Sequence, residues 1–507
     1  MKIFHGLIVV VAASVTGACF SADDGGVADS QGTGSEDEIG SETESTGTDT
    51  TESTGTTETE TADETDETDE TSTTGGPMGE PGEVSWSFEW GAGFPTMSTA
   101  SSTGEILLTG SFFEPLELST GTLTPMDSSD IVVMGLSSEG ELGWAARAGG
   151  AGAEYVTASV ISPNDRVIVG VIYEGTPDFG SGPLPEPGGG FNGVLLGFDG
   201  PGIQMEVALT APNIQLRSVD VNGGGFVIAG GSFNDALSVL GSDTASAGGS
   251  DGFYTRINTQ ELTLSNLTGF GGNGDDGVAQ VLYDGLGGVY ILGQFAGMAT
   301  FGVQDMVATG SSDVFVIRAD TSGTVSWVKQ LGGPGTVQIW AAAVGDAGEL
   351  LVTGNFDLDL DFEGEAIGSS AGGSDAYVLS LSSAGALNWA QLMPGLGDTV
   401  PRHLVIADDG VVSVGGDVVG PVDLGAGEGW LDGEGELEGF VVRYTPEGEF
   451  MWGELLSSAA DDRVNSLGHD HEGRLLVGVS YLGDLSLSND TVLAGAETWR
   501  SALISIW

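Results

Sequence analysis

TVSWVKQLGGPGTVQIWAAAVGDAGELLVTGNF, residues 324–356, decides the architecture of this chain. TVSWVKQLGG (324–333) alternates apolar and polar side chains, the pattern of a half-buried strand. IWAAAVGDAGELLVTGNF (339–356) reads as two strands around the turn Gly345-Asp346-Ala347-Gly348. A Gly- and Asp-rich connection leads to SDAYVLSL (374–381), a third apolar run with β-branched and aromatic members. Ser382-Ser383-Ala384-Gly385 then turns the chain into ALNWAQL (386–392), where a Trp-bearing strand begins again. Nothing in the repeats carries the helical period of about 3.6 residues. Each unit is therefore four strands and no helix.

The Trp marks the period. Trp86, Trp144, Trp327, Trp389 and Trp452 fall in one register, with Met205 and Ser265 in the two remaining places. The interval is about 60 residues, the signature of units too small to bury their own apolar faces. Antiparallel four-stranded units repeated radially make a β-propeller. The expected fold is all-β, a seven-bladed β-propeller of four-stranded antiparallel blades spanning 84–507. The strand before the short turn would be innermost, where small residues crowd. The Trp strand would be outermost, covering the neighbouring blade. The repeats begin with a Trp strand, VSWSFEW (84–90), and end with a third-type strand, SALISIW (501–507). Set beside the last three strands, the N-terminal strand completes the last blade and closes the ring, leaving no bare sheet edge. A linear solenoid would need caps at both ends instead.

Units such as VSWVKQLGGPG…GELLVTGNF…SSAGGSDAYVLSLSSAG and GGVYILGQFAGMATFG…TGSSDVFVIRADTSG resemble the SBBP-type β-propeller repeats of bacterial surface proteins. The resemblance covers about 84–507 and is strongest in units four to six. It implies an extracellular or cell-surface propeller and brings no shared catalytic residue with it.

The termini add an address. Met1 to Ala18 has Lys2 near its start, an apolar run from Ile8 to Ala13 and small residues at its end, as a secretory signal peptide does (1–18). Thr16-Gly17-Ala18-Cys19 resembles the bacterial lipoprotein lipobox, departing from it at Thr16, where Leu is usual. That resemblance implies a lipidated Cys19 and a membrane anchor, hence an outer-membrane or cell-surface protein. Cys19 is the one cysteine of the chain, so disulfides play no part in its stability. Residues 19–83 hold 20 acidic side chains and no Lys or Arg, and read as a disordered, self-repelling tether. Beyond it, 54 acidic side chains face 11 Lys and Arg, about −43 net. Such charge repels phosphate backbones and anionic lipid heads, excluding nucleic acid as a partner. A monomer is expected.

A repeat separates scaffold from site. Asp130, Asn192, Asp251, Asp313, Asp375 and Glu438 all stand just before a third strand, where bonding to nearby backbone explains them. Asp357, Asp359 and Asp361 break the repeat. In NFDLDLDFEGE, alternation on a strand would put all three carboxylates on one face with Glu363, which reads either as a solvated strand face or as an oxygen set suited to calcium, the one candidate cofactor. Asp275-Asp276 and Asp461-Asp462 lie in corresponding connections. His469 and His471 form an H-x-H pair without a third zinc ligand. Lys329 and Arg402-His403 are rare cations on an acidic body. No Ser-His-Asp or Cys-His arrangement assembles. Propeller topology gathers the long second-to-third connections on one face, with Trp340, Trp430 and Trp499 as binding residues there. The functional expectation is a surface-tethered, non-enzymatic propeller that binds a protein or glycan through that face. The alternatives are a purely structural envelope protein and a lyase or hydrolase with a central-channel site. The enzyme requires a His/Glu/Arg/Tyr cluster at the channel mouth that other blades lack.

Overall fold

A computed structural model describes residues 82–507, apart from 92, 426, 428–429, 432–436, 459, 488–491 and 496–497. The expected signal peptide (1–18), Cys19 and the acidic segment as far as residue 81 lie outside the described residues. Among the described residues there is no helix, and the strands form antiparallel sheets. Gly93–Ala100, Ile106–Phe112, Asp130–Leu136 and Leu142–Ala148 pair in that order. The same order recurs in the units that begin with Glu154–Ile161, Ile214–Val221, Gly277–Tyr283, Val337–Val344 and Thr399–Ile406. In the final group, Asp462–His469, Leu475–Tyr481 and Arg500–Ile506 are joined by Val84–Gly91, with Phe88 opposite Leu503. Each first strand touches the first strand of the next unit, and Asp462–His469 touches Gly93–Ala100.

Burial explains the apolar runs. The second and third strands are buried almost throughout, and LLVTGNF and DAYVLSL at every residue, because both faces of each sheet meet a neighbouring sheet. First and fourth strands alternate, as in VQIWAAAV and VSWVKQLG. Gly354 sits in the middle of its sheet because a Cβ there would lie 1.9 Å from the Gln338 carbonyl oxygen.

The recurring Trp clamps unit to unit. Trp86 donates its indole N–H to the carbonyl of Ser138 (3.0 Å), Trp327 to Ser383 (3.2 Å) and Trp389 to Pro446 (2.9 Å). Each acceptor lies in the turn between third and fourth strands of the following unit. Gly448 in one such turn has φ 86°, and a Cβ on it would fall 2.5 Å from the Trp389 ring. Trp144 departs from the pattern, donating to Glu105 of its own unit (2.8 Å).

The second-to-third connections contain more order than a Gly- and Asp-rich sequence suggests. Several fold into short hairpins that pair with the fourth strand of the preceding unit: Gly271 with Thr300, Leu331 with Phe362, and Leu209 with Val239. Neighbouring sheets are therefore stitched by main-chain bonds as well as packed.

At the seam, Gly82 N donates to Trp507 O (2.8 Å) and Trp507 N to Glu83 O (3.0 Å). Arg474, only 4% exposed, donates to Asp470 (2.6 Å), to Ser85 Oγ (3.1 Å) and to Ser138 O (2.8 Å), with Trp507 5.3 Å away. It thus ties the N-terminal strand, the last unit and the first unit together. Replacing it leaves Asp470 buried without its partner, so Arg474→Ala should lower the unfolding free energy by about 3–5 kcal/mol. Deleting residues 82–91 should expose the edge of Arg500–Ile506 and cause aggregation. Denaturant titration and light scattering check both, and an unchanged midpoint in the deletion would contradict the seam as described.

Candidate functional site

Every first strand carries a register shift at the same level. It falls between Pro95 and Met97, Val156 and Ala158, Leu216 and Ser218, Val278 and Gln280, Ile339 and Ala341, Val400 and His403, and Val464 and Ser466. Such a bulge leaves a residue out of the ladder and re-aims its side chain. The residues so placed are Thr96, Thr157, Arg217, Ala279, Trp340, Arg402 and Asn465. They stand near the loop-rich end, where first strands start and second strands finish.

Three of these positions bond across to the end of their own second strand. Trp340 Nε1 donates to Asn355 Oδ1 (2.7 Å), Arg402 Nε to Asp417 Oδ2 (2.5 Å) and Asn465 Nδ2 to Ser480 Oγ (2.8 Å). The Arg402 guanidinium lies 5.3 Å from the centre of the Trp340 ring, and that of Arg463 lies 5.7 Å from the Trp499 ring. Asp417 is buried; burial pushes its carboxyl up, while the charges of Arg402 and Arg463 pull it back down. His403 is pushed down to about 3, first by burial and then by Arg402, so its imidazole is neutral at physiological pH. Guanidiniums, amides, one carboxylate and indole rings recognise polar groups by hydrogen bonds and flat apolar faces by stacking.

The structure redistributes the residues singled out from sequence. Trp340 lies in the strand Val337–Val344 and not in a loop. Trp430 is 47% exposed in the connection after Val412–Val418, and Trp499 is half-buried just before Arg500–Ile506. All three stand at the loop-rich end. The acidic row does not form one face. Its strand runs only Asp359–Phe362, and Leu358 (φ 65°) and Glu363 (φ 55°) break the alternation on either side. Asp357 accepts from Thr336 N (2.5 Å), Asp359 from Ser369 Oγ (2.5 Å) and Asp361 from Gly364 N (3.0 Å), so the three carboxylates serve separate partners. Glu363 pairs with Lys329 (3.0 Å). Among the described residues no three metal-ligating side chains come together. His469 and His471 diverge: His471 bonds to Ser101 O in the first unit, while the half-buried His469 is pushed down to about 4, first by desolvation and then by Arg443 of the sixth.

The residues before the third strands hold loops. Asp375 accepts from Ala371 N (2.7 Å) and Gly395 N (2.9 Å), fastening its own connection to the segment that leads into the next unit. Three of them also face a second buried carboxyl across a unit boundary, which the sequence did not disclose. Asp130, ion-paired with Arg147, opposes Glu154, Asp251 opposes Asp276, and Glu438 opposes Asp462. Burial, aided by Asp130, pushes Glu154 up to about 8; burial pushes Asp276 to about 6, and Asp462 in the last unit to about 7.

No family model matches the chain, and no curated protein matches it. Some solved structures are similar at the level of shape. An acylaminoacyl peptidase of Pyrococcus horikoshii aligns at 10% identity and TM-score 0.39, covering 80% of this chain and 52% of its own, so this chain spans about half that enzyme's length. A puromycin hydrolase variant gives 13% identity and TM-score 0.37, with 77% of this chain and 59% of the hydrolase covered. A protein of unknown function from Dyadobacter fermentans gives 11% and 0.36, covering 84% and 100%. Likeness this distant says nothing of activity.

Two outcomes are expected. Glu154 holds a proton in the folded state that the unfolded chain, with its ordinary value of 4.5, has shed. This contribution to stability is complete below about pH 4.5 and is lost as pH rises through about 8, so the melting temperature should fall between pH 5 and 9. Glu154→Gln should flatten that slope, and an unchanged slope would show the pair to be unimportant. In the acidic row, chelator should leave the melting temperature unmoved, while Asp357→Ala should cost about 1–2 kcal/mol through its lost bond to Thr336. A downward shift with chelator would restore the calcium reading.

Proposed function

We propose that the chain is a seven-bladed β-propeller, its ring closed by Val84–Gly91, that binds an extracellular glycan or protein through its loop-rich face without transforming it. Support for the ring comes from the cyclic contacts of the first strands, which include Asp462–His469 against Gly93–Ala100. Support for binding rests on one observation: the bulge positions hold Trp340 and Arg402 in adjacent units, with the Arg402 guanidinium over the Trp340 ring and bonded to Asp417. Elsewhere in the same ring those positions hold Thr96, Thr157, Arg217, Ala279 and Asn465, so Trp340 is the residue without a like among them. A side chain that departs from its six equivalents is the kind that serves a ligand.

The resemblance to SBBP-type repeats and the lipobox-like Cys19 support a surface setting. The 19–83 segment would carry the propeller away from an outer membrane on a lipid anchor, and the propeller would act as a monomer. A second reading has an observation of its own. Arg402, His403, Asp417 and Arg463 form a cluster that other units lack, which is the arrangement the lyase or hydrolase reading requires.

Capture of envelope polysaccharides and surface glycans on an array tests the first reading, with Trp340→Ala and Trp499→Ala in parallel. Loss of about tenfold or more in affinity is expected from removing a stacking ring. Retention of full binding by both variants would move the site elsewhere. Shortening of a bound glycan over hours would replace this reading with the enzymatic one.

A further inference from the structure

The cations at this site are unevenly spent. The propeller region has 11 Lys and Arg against 54 acids, yet two arginines, Arg402 and Arg463, act on the single carboxylate of Asp417. One positive charge is left over in a body that is otherwise strongly negative. Arg402 commits its Nε to Asp417 and lies over Trp340, its side chain still 20% exposed, with no bond from its two terminal nitrogens to the described residues. The Arg463 side chain donates no hydrogen bond to a described residue, and its Nε, like those of Arg166, Arg443 and Arg500, is buried without a partner. Unmatched guanidinium N–H groups are costly, and their planar fork matches an oxyanion such as a carboxylate bidentately.

Apolar and polar surroundings narrow the body that carries the acid. The Trp340 and Trp499 rings flank the guanidiniums, and the Asn355 amide, the Asn465 amide and the Ser480 hydroxyl stand at the same level. Flat rings beside amides and hydroxyls suit a sugar, which offers a C–H face to stack and hydroxyls to bond. A peptide would instead bond along a strand edge, and each first-strand edge is interrupted here by its bulge.

Resting on the binding function above, we propose that the site takes a carboxylate-bearing sugar, a hexuronic acid residue of an acidic glycan. Its carboxylate sits between Arg402 and Arg463, and its ring lies against Trp340 or Trp499. A single uronate residue within a short oligosaccharide matches the one-charge surplus, whereas the negative body opposes a long polyanion.

Calorimetry on the full chain tests this with three probes: a tetramer of hexuronic acid, the same tetramer with its carboxyls reduced to alcohols, and tetraglutamate. The uronate tetramer should bind at least about tenfold tighter than either of the others. Arg463→Gln, which breaks no side-chain hydrogen bond to a described residue, should abolish that preference; Arg402→Lys, which keeps the charge but not the fork, should weaken it. Equal binding of the reduced tetramer overturns the acid-sugar assignment and leaves glycan binding standing. Equal or tighter binding of tetraglutamate overturns it in favour of an acidic peptide. Failure of every probe, with neutral glycans captured elsewhere on the face, removes the site as well as its ligand.

Discussion

Each four-stranded sheet has two apolar faces, and that constraint governs everything else in the molecule. A sheet with both faces apolar cannot stand alone, and one neighbour covers only half of it. The core clusters accordingly straddle unit boundaries. Tyr290 and Leu292 pack with Val337, Leu350 and Tyr377, and Ala376 and Val378 of that unit pack with Val414 and Phe440 of the next. The first unit would be left with a bare face, and its Ile106 and Leu108 instead join Leu476 and Leu503 of the last, with Trp90 among them. A hydrophobic requirement thus brings the two ends of the repeat region together, and Arg474 and the Val84–Gly91 ladder hold them in register.

Much of this was legible in the sequence for a simple reason. Strands buried on both faces are continuous apolar runs, and turns must contain Gly or Asp, so VTGNF and SDAYVLSL announce themselves. Trp is large enough to span two units, and the period of Trp86, Trp327 and Trp389 therefore reports the period of the sheets. What stayed hidden depends on backbone geometry that residue type does not encode. DLDLD alternates as a strand should, yet Leu358 and Glu363 adopt positive φ to close a short hairpin against Leu331, and the row is broken. Nothing about Leu at that place signals the conformation. The carboxyl pairs were hidden for a different reason: Asp130 and Glu154 lie on different sheets, and only packing sets them face to face.

The candidate site was half visible. Trp340 and Arg402 stood out as rare residues, but a strand position looks like a loop position when its bulge is unknown. Asp417 and Asn355 were missed altogether. The readable signal lay in the column that follows the second-strand glycine, where GQF, GNF and GDV change the residue beside a constant backbone.

That column and the bulge explain how a repeated scaffold acquires a distinct site. Ala279 and Trp340 occupy the same bulge in consecutive units, with the same register shift on either side. One is among the smallest side chains and the other the largest, and the ladder is the same around both. Packing therefore does not choose the residue there, in contrast to Gly354, where the Gln338 carbonyl admits no Cβ at all. Where the scaffold is indifferent, a costly arrangement needs another cause. Burying Asp417 and leaving the Arg463 Nε without a partner both oppose folding. The sheets would form as well with Thr at both bulges, as they do at Thr96 and Thr157. The expense falls in units five to seven, at the bulges of the first strands near the loop-rich end.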